Sequence, residues 1–190
     1  MELQGIIDHA LISIVGWILG ASLGWITSLG LLALWRKTGL DTRKPSPLLL
    51  FVPWRTFILG LFLINYFPIF IIFQFGLGTL TGIFSVAHVV FWLTLIILLQ
   101  STQKEPISSV LRFWPWARTL AVFSVALTTH YGLWGGGGLG FVAREQLMIM
   151  EFDAAWSYFW QMVGIGLLID VVFAIGQMSA QHYITPKNVE

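Results

Sequence analysis

Two histidines are the residues whose type and position best suit ligand chemistry. His88 lies in a long apolar stretch with Trp92 one helical turn after it, and His130 lies near the end of another apolar stretch. A pair of histidines at matching depth on two helices can ligate a haem, and one alone can ligate the magnesium of a chlorophyll-type pigment. A histidine that only hydrogen-bonds to a neighbouring helix is far commoner. We therefore expect no cofactor and keep a pigment or haem as the alternative.

Asp170 is a second candidate, because it is the only carboxylate well inside an apolar stretch. An acid in such a place is costly to bury and is by default a candidate for function. A hydrogen bond to a neighbouring helix would satisfy it equally well. The sequence favours neither role over the other.

The stretch Leu133–Asp153 contains four consecutive glycines followed by a short amphipathic segment. Glycines in series permit positive φ angles and close backbone approach, so a sharp turn fits them. We expect an external hairpin over residues 135–153. Its candidate residues are Gly135, Gly138, Gly140, Arg144, Glu145 and Asp153.

Composition predicts the class of protein that carries these residues. The chain has 190 residues, of which 57% are hydrophobic and 10% charged, and its mean hydropathy is +0.82. Soluble domains carry about 25% charged residues, so we expect a polytopic membrane protein that forms one transmembrane domain, 1–190. A net charge of +1 gives no case for nucleic acid, and the absence of cysteine excludes disulfides and thiolate sites.

Five apolar stretches meet or approach the length of about 20 residues that a spanning helix needs. We therefore predict an all-α bundle. The predicted helices cover residues 9–35, 49–73, 80–99, 119–134 and 156–177.

Basic residues predict how the bundle is oriented. Most of them follow the first helix or lie between the third and the fourth, and only Arg144 falls on the other side. The positive-inside rule then places the N-terminus and the hairpin outside and the C-terminus in the cytoplasm. The first residues lack the basic region of a cleavable signal peptide, so we expect the first helix to be retained.

The first helix carries a ridge of small residues at four-residue spacing, namely Gly16, Gly20 and Gly24. Such a ridge lets another helix backbone approach closely in lipid. Packing within the chain is the favoured interpretation, and a dimer face is the alternative.

The connection between the third and fourth helices mixes aromatic and apolar side chains with Arg112, Trp114 and Arg118. This mix is typical of a segment that lies on the membrane surface. The segment either contacts a cytoplasmic partner through these three residues or serves only as a connector.

The last third of the chain resembles the end of permease subunits of ABC importers of the nitrate/sulfonate/taurine type. The resemblance rests on Gly138-Leu139-Gly140, then Ala143-Arg144-Glu145, Asp153 and Asp170. Two earlier segments, HALISIVGWILGASLGWITSLGLL and LDTRKPSPLLLFVPWRTFILGLF, are similar to the first core helix and to the segment that leads into the second. The resemblance covers about residues 8–181 and implies the type I importer permease core.

One feature of that family is missing. Its members carry a cytoplasmic loop that begins Glu-Ala-Ala and docks into the ATPase subunit, and no such motif lies between Gln100 and Trp116. The connection also looks shorter than the family's coupling helices require. Without a docking element the chain could not readily receive the movement of an ATPase, since an equilibrium shifts only through differential contacts.

Two functions follow. The first is a transport subunit for a small anion or organic solute in a bacterial plasma membrane. It would assemble with further membrane subunits, identical or not, with ATPase subunits and with an external solute-binding protein. The second is a transport-inactive, permease-derived structural subunit of a photosynthetic or respiratory complex, with pigment or haem contacts. We expect no enzyme, because no catalytic triad, phosphate loop or metal cluster is present, and His9 beside Asp8 is too little to form a catalytic site.

Overall fold

The computed structural model describes residues 2–37, 74, 76–101 and 110–184. Within these ranges the chain forms helices and contains no strand, which confirms the all-α class. The helices are α1 (Glu2–Lys37), α2 (Thr79–Ser101), α3 (Val110–Leu133), α4 (Gly138–Met148) and α5 (Phe152–Ile184).

Three of the described helices are long and apolar enough to cross a membrane. Their candidate spans are Leu3–Leu31 in α1, Thr79–Leu98 in α2 and Phe152–Ser179 in α5. These spans support a membrane protein. The predicted helix over 49–73 lies outside the described residues. The predicted span over 119–134 lies in α3, which is not among the three candidates, so the total of five spans stays a prediction.

Two helix boundaries differ from the prediction in an informative way. α3 begins at Val110, so residues predicted to lie on the membrane surface form its first turns instead. The predicted hairpin over 135–153 contains a helix of 11 residues, α4. In α3 the longer helix places Trp114 and Arg118 against partners on α5. Hydropathy is a property of the local sequence and does not include partners on another helix.

The helices run in the relative directions that the alternating topology requires. α1 lies parallel to α2, because Gly16 faces Val86 and, two turns on, Gly24 faces Thr94. α3 lies antiparallel to α5, because Arg118 bonds to Asp170 and the later residue Thr129 bonds to the earlier residue Met162. The end of the bundle that holds α4 is called the hairpin end below. Which side of the membrane it faces stays a prediction.

The small-residue ridge of α1 faces α2 of the same chain. A Cβ atom added at Gly16 would lie 2.8 Å from the Cβ of Val86, and one added at Gly20 would lie well under 3.0 Å from the carbonyl oxygen of Ala87. Real Cβ atoms essentially never come so close. Glycine is therefore required for this approach, which brings the two helix backbones into contact.

The buried core has two parts. The first lies between α1, α2 and α3 and includes Ile12, Val86, Val90, Leu127 and Tyr131. The second joins α4 to α5 through Leu139, Ala143, Tyr158 and Met162. Only 11% of the most apolar window of α5 is buried, so this helix offers most of its apolar surface to lipid or to another subunit.

Replacing Gly20 with alanine is expected to destabilise the protein. The added methyl group collides with the Ala87 carbonyl, and overpacking of this kind costs about 1–3 kcal/mol. The matched control is Gly30→Ala, where an added Cβ meets nothing within 4 Å, and alanine there should stabilise the helix by about 0.5–1 kcal/mol. Equilibrium unfolding in mixed detergent micelles measures both. Equal effects of the two substitutions would contradict the close approach of α1 and α2.

Candidate functional site at the glycine junction

Residues Gly135–Gly140, called the glycine junction below, turn the chain from α3 into α4. Gly135, Gly137 and Gly138 have φ angles of 99°, 78° and 69°, which lie in the left-handed region that favours glycine. The Gly136 N–H donates to the Tyr131 carbonyl over 2.8 Å, and the Gly78 N–H donates to the Gly135 carbonyl over 2.8 Å. The first bond closes the turn after α3, and the second joins Gly78, just before α2, to that turn.

Helix backbones meet directly at this junction. A Cβ atom added at Gly82 would lie well under 3.0 Å from the Gly136 carbonyl oxygen, and one added at Gly140 would lie equally close to that of Thr129. No side chain fits between α2, α3 and α4 at these two points. The glycines are therefore required by packing as well as by backbone angle.

His9 lies in the wall of the junction and is fully buried. A Cβ atom added at Gly138 would be 3.1 Å from the His9 Nδ1 atom. Neither ring nitrogen of His9 has a hydrogen-bond partner within the described residues, and the buried Tyr131 hydroxyl also lacks one there. The sequence predicts no role for His9, yet its spacing of four from Gly5 and from Ser13 places it on the same packed face.

Two other buried hydroxyl groups, those of Ser13 and Thr128, are paired. The Ser13 hydroxyl lies 2.8 Å from the Thr128 hydroxyl, which itself donates to the Ser124 carbonyl over 2.8 Å. The Ser13 hydroxyl also lies 2.8 Å from the His9 carbonyl oxygen, and the bond between the two hydroxyls links α1 to α3. Such interhelical bonds are available in the bilayer interior because no water competes for the groups.

A cavity of about 450 Å³ opens at the hairpin end beside the glycine junction. We call it the junction cavity. Its backbone walls include Gly78, Gly135, Gly137 and Gly138, and its polar side chains are Gln4, Asp8, Thr79, Glu145 and Gln146.

Two carboxylates, Asp8 and Glu145, dominate the charge of the junction cavity. The Gln4 amide donates to one Asp8 oxygen over 2.9 Å, which leaves further acceptor positions open. Such a lining suits a small molecule that carries N–H or O–H donors or a positive charge. It repels anions.

The predicted hairpin residues separate into three groups. Gly135, Gly138 and Glu145 line the junction cavity, whereas Gly140 packs against α3. Arg144 is exposed and is not part of the lining. Asp153 is exposed in the first turn of α5, where a negative charge is favoured by the helix dipole.

The two candidate cofactor ligands have different surroundings. The His88 Nε2 atom accepts a hydrogen bond from the Trp92 indole over 3.2 Å, so this nitrogen would have to be released before it could bind a metal. The His130 ring lies 5.6 Å from the Tyr131 ring, and its buried Nε2 atom has no partner in the described part of the chain. Within that part, no group of three or more His, Cys, Asp or Glu residues could hold a metal ion. Cofactor binding by either histidine stays a prediction.

Asp170 has a partner at the end of the bundle opposite the hairpin. The Arg118 Nε and Nη2 atoms donate to the two Asp170 oxygens over 2.5 and 2.6 Å, a two-pronged geometry that suits a guanidinium and a carboxylate. Four residues before Arg118, the Trp114 indole donates to the Phe173 carbonyl over 3.1 Å. These bonds join α3 to α5.

The residues predicted to meet a cytoplasmic partner therefore have contacts inside the chain. Trp114 and Arg118 both bond to α5, and the side chain of Arg112 lies outside the described residues. Contact with a cytoplasmic partner stays a prediction. Asp170 does have the structural role that the sequence offered as one of two.

Comparison with known proteins adds no relative. No family model matches the sequence, and no curated protein or solved structure is significantly similar to it. The resemblance to importer permeases thus rests on the motifs of this chain alone.

Replacing Gly138 with alanine is expected to loosen the junction. A left-handed residue with a Cβ atom costs about 1–2 kcal/mol, and here the methyl group also meets the His9 ring at 3.1 Å. Hydrogen exchange of α4 should become faster. The control is Gly164→Ala, where the added Cβ meets nothing within 4 Å, and exchange should not increase. Unchanged protection of α4 in Gly138→Ala would count against the junction geometry.

Replacing Asp170 with asparagine, or Arg118 with glutamine, is expected to lower the thermal unfolding midpoint, because each change leaves one charge without its counterion. The double variant should lose less than the two single losses added together, since it leaves no unpaired charge. Thermal unfolding of the four proteins in one detergent tests this coupling. Strictly additive losses would show that the two side chains act independently.

Proposed function

We propose that this chain is a permease-like integral membrane subunit of an ABC-type importer complex. The complex imports a small organic solute across a bacterial plasma membrane. The observation that supports this proposal is the junction cavity, a recess at the hairpin end. Its lining includes residues of the motif that resembles importer permeases. Gly138 and Glu145 of that motif both line the recess.

The lining of the cavity narrows the substrate class. A small anion was one of the two classes expected from the sequence, but Asp8 and Glu145 would repel it. An organic solute with an amine or several hydroxyl groups matches the acceptors better. We therefore favour a neutral or cationic organic solute.

The surface of the hairpin supports contact with a further protein. The turn between α4 and α5 exposes apolar side chains, each from 47% to 77% accessible: Leu147, Met148, Ile149, Met150 and Phe152. Flexible methionine-rich surfaces adapt to different partners. In the proposed orientation this surface faces an external solute-binding protein.

A specific observation favours the second function, a transport-inactive structural subunit. α2 ends at Ser101 and α3 begins at Val110, so only the residues 102–109 remain between them. This interval of eight residues is shorter than the family's two coupling helices and their turn require. Trp114 and Arg118 are in addition bonded to α5.

Purification of the tagged chain from its native membrane in mild detergent distinguishes the two functions. The importer predicts copurifying ATPase subunits and ATP hydrolysis by the complex. An absorption spectrum of the same preparation tests for pigment or haem. A stable complex that contains other subunits but no ATPase would overturn the importer and support the structural subunit.

Substitution in the cavity tests its role. Glu145→Gln should weaken binding of a cationic solute by up to about fivefold, since Glu145 is exposed and a charge pair at an exposed site is worth about 0.2–1 kcal/mol. Arg144→Gln is the matched control, because this neighbour on α4 is exposed and does not line the cavity. A thermal-shift screen of small amines and polyols against both variants and the wild type provides the measurement. Hits that are lost equally in both variants would place binding elsewhere.

A further inference from the structure

A groove of about 430 Å³ runs between α3 and α5. We call it the α3–α5 groove. Its walls are apolar, with Val122, Val125 and Ala126 on α3 and Phe159, Val163 and Leu167 on α5. Its volume lies in the range of about 300–1,000 Å³ that small-molecule sites occupy.

A glycine keeps this groove open. Gly166 is part of the lining, and a Cβ atom added there would meet nothing within 4 Å. Unlike Gly16 or Gly20, this residue is not required by a neighbouring backbone. Glycine weakens a helix interior, so its presence at Gly166 has no packing explanation within the described part of the chain.

One end of the groove is charged. Asp170 lines it and is paired with Arg118, and the two side chains are 37% and 35% exposed. Arg118 uses two of its five N–H donors in this pair, which leaves three. Each Asp170 oxygen accepts one of these bonds and keeps room for another. The end of the groove therefore offers donors and acceptors side by side.

The depth of the charged end is set by where α5 enters the membrane, and the candidate span runs from Phe152 to Ser179, nine residues beyond Asp170. Asp170 follows Phe152, the first residue of α5, by 18 positions, which corresponds to about 27 Å along a helix. The hydrocarbon core of a bilayer is about 30 Å thick. If α5 enters the membrane at its first turn, the Arg118–Asp170 pair reaches the opposite headgroup boundary and the groove lies within the acyl-chain region.

We propose that the α3–α5 groove binds one phospholipid with a primary-amine headgroup. One acyl chain lies along the apolar walls over Gly166. The phosphate oxygens accept hydrogen bonds from the free N–H groups of Arg118, and the ammonium group donates to Asp170. A zwitterionic headgroup of this kind uses both members of the pair, whereas an acidic headgroup would meet repulsion from Asp170. A helix of another subunit would cover the apolar walls and leave the charged end unmatched.

Lipid retention in native mass spectrometry tests the proposal. The full chain is reconstituted in nanodiscs with equal amounts of phosphatidylethanolamine, phosphatidylcholine and phosphatidylglycerol, then released into detergent. The wild type should retain phosphatidylethanolamine with about tenfold preference, as expected for one added charge-assisted bond. Preference for phosphatidylglycerol, or no retained lipid, would overturn the proposal.

Two leucine substitutions locate the acyl chain. Gly166→Leu fills the groove and should abolish retention. Gly164→Leu is the matched control, since this glycine also has open space around it but does not line the groove, and retention should persist. Equal thermal midpoints of the two variants establish that both are folded. Equal retention by both variants would place the lipid elsewhere and overturn the proposal.

A third variant tests the headgroup. Asp170→Asn removes the charge that receives the ammonium group, so the preference for phosphatidylethanolamine over phosphatidylcholine should disappear while some lipid stays bound. A preserved preference would overturn the assignment of Asp170. These outcomes do not depend on whether the complex contains an ATPase, because the site requires only that α3 and α5 lie in a bilayer.

Discussion

Direct contact between helix backbones is the constraint on which this structure depends. In lipid, an apolar side chain gains little free energy by moving from the acyl chains to a helix interface, because both are apolar. Close packing and polar contacts must therefore hold the helices together. Here the contact is made twice with glycine. The ridge of α1 meets α2 through Gly16, Gly20 and Gly24, and the glycine junction meets α2 and α3 through Gly136 and Gly140. A single methyl group added at Gly140 or at any glycine of the ridge would collide with the neighbouring helix.

The same close packing explains where polar groups lie. Near the hairpin end, the approach of α1 to the junction encloses His9 and pairs Ser13 with Thr128. At the opposite end α3 and α5 are held by Arg118, Asp170 and Trp114 instead. Helix contacts at the two ends thus use different chemistry. The α3–α5 groove extends from Thr129 and Phe159 to Asp170, and the junction cavity lies at the hairpin end.

The proposed functions depend on different ends of the molecule. A recess lined by Asp8 and Glu145 suits the binding of a solute in the proposed importer. The short connection between α2 and α3 provides few residues for contact with an ATPase. Both proposed functions are compatible with these two features. In the proposed importer, the hairpin is the part of the chain where a substrate or an external partner would act.

Much of the fold could be predicted from periodicity and hydropathy, because an apolar run of spanning length has few alternatives to a helix. The runs that became α1, α2 and α5 were each long enough for this argument. The first turns of α3 were not predicted, since their Arg112 and Arg118 interrupt the apolar pattern and the pattern does not include a partner such as Asp170. α4 was recognised only as an amphipathic segment, because 11 residues beside four glycines carry little periodic signal.

The sequence by itself determined the class of protein, the glycine positions and the candidate residues, since these follow from composition and local spacing. Only the tertiary structure decided which residues meet. It paired Asp170 with Arg118 across 52 positions of sequence, placed His9 against Gly138, and separated Glu145 in the junction cavity from Arg144 outside it. The physical reason is that a contact between helices depends on their crossing and rotation. These are fixed by long-range packing that no short stretch of sequence contains.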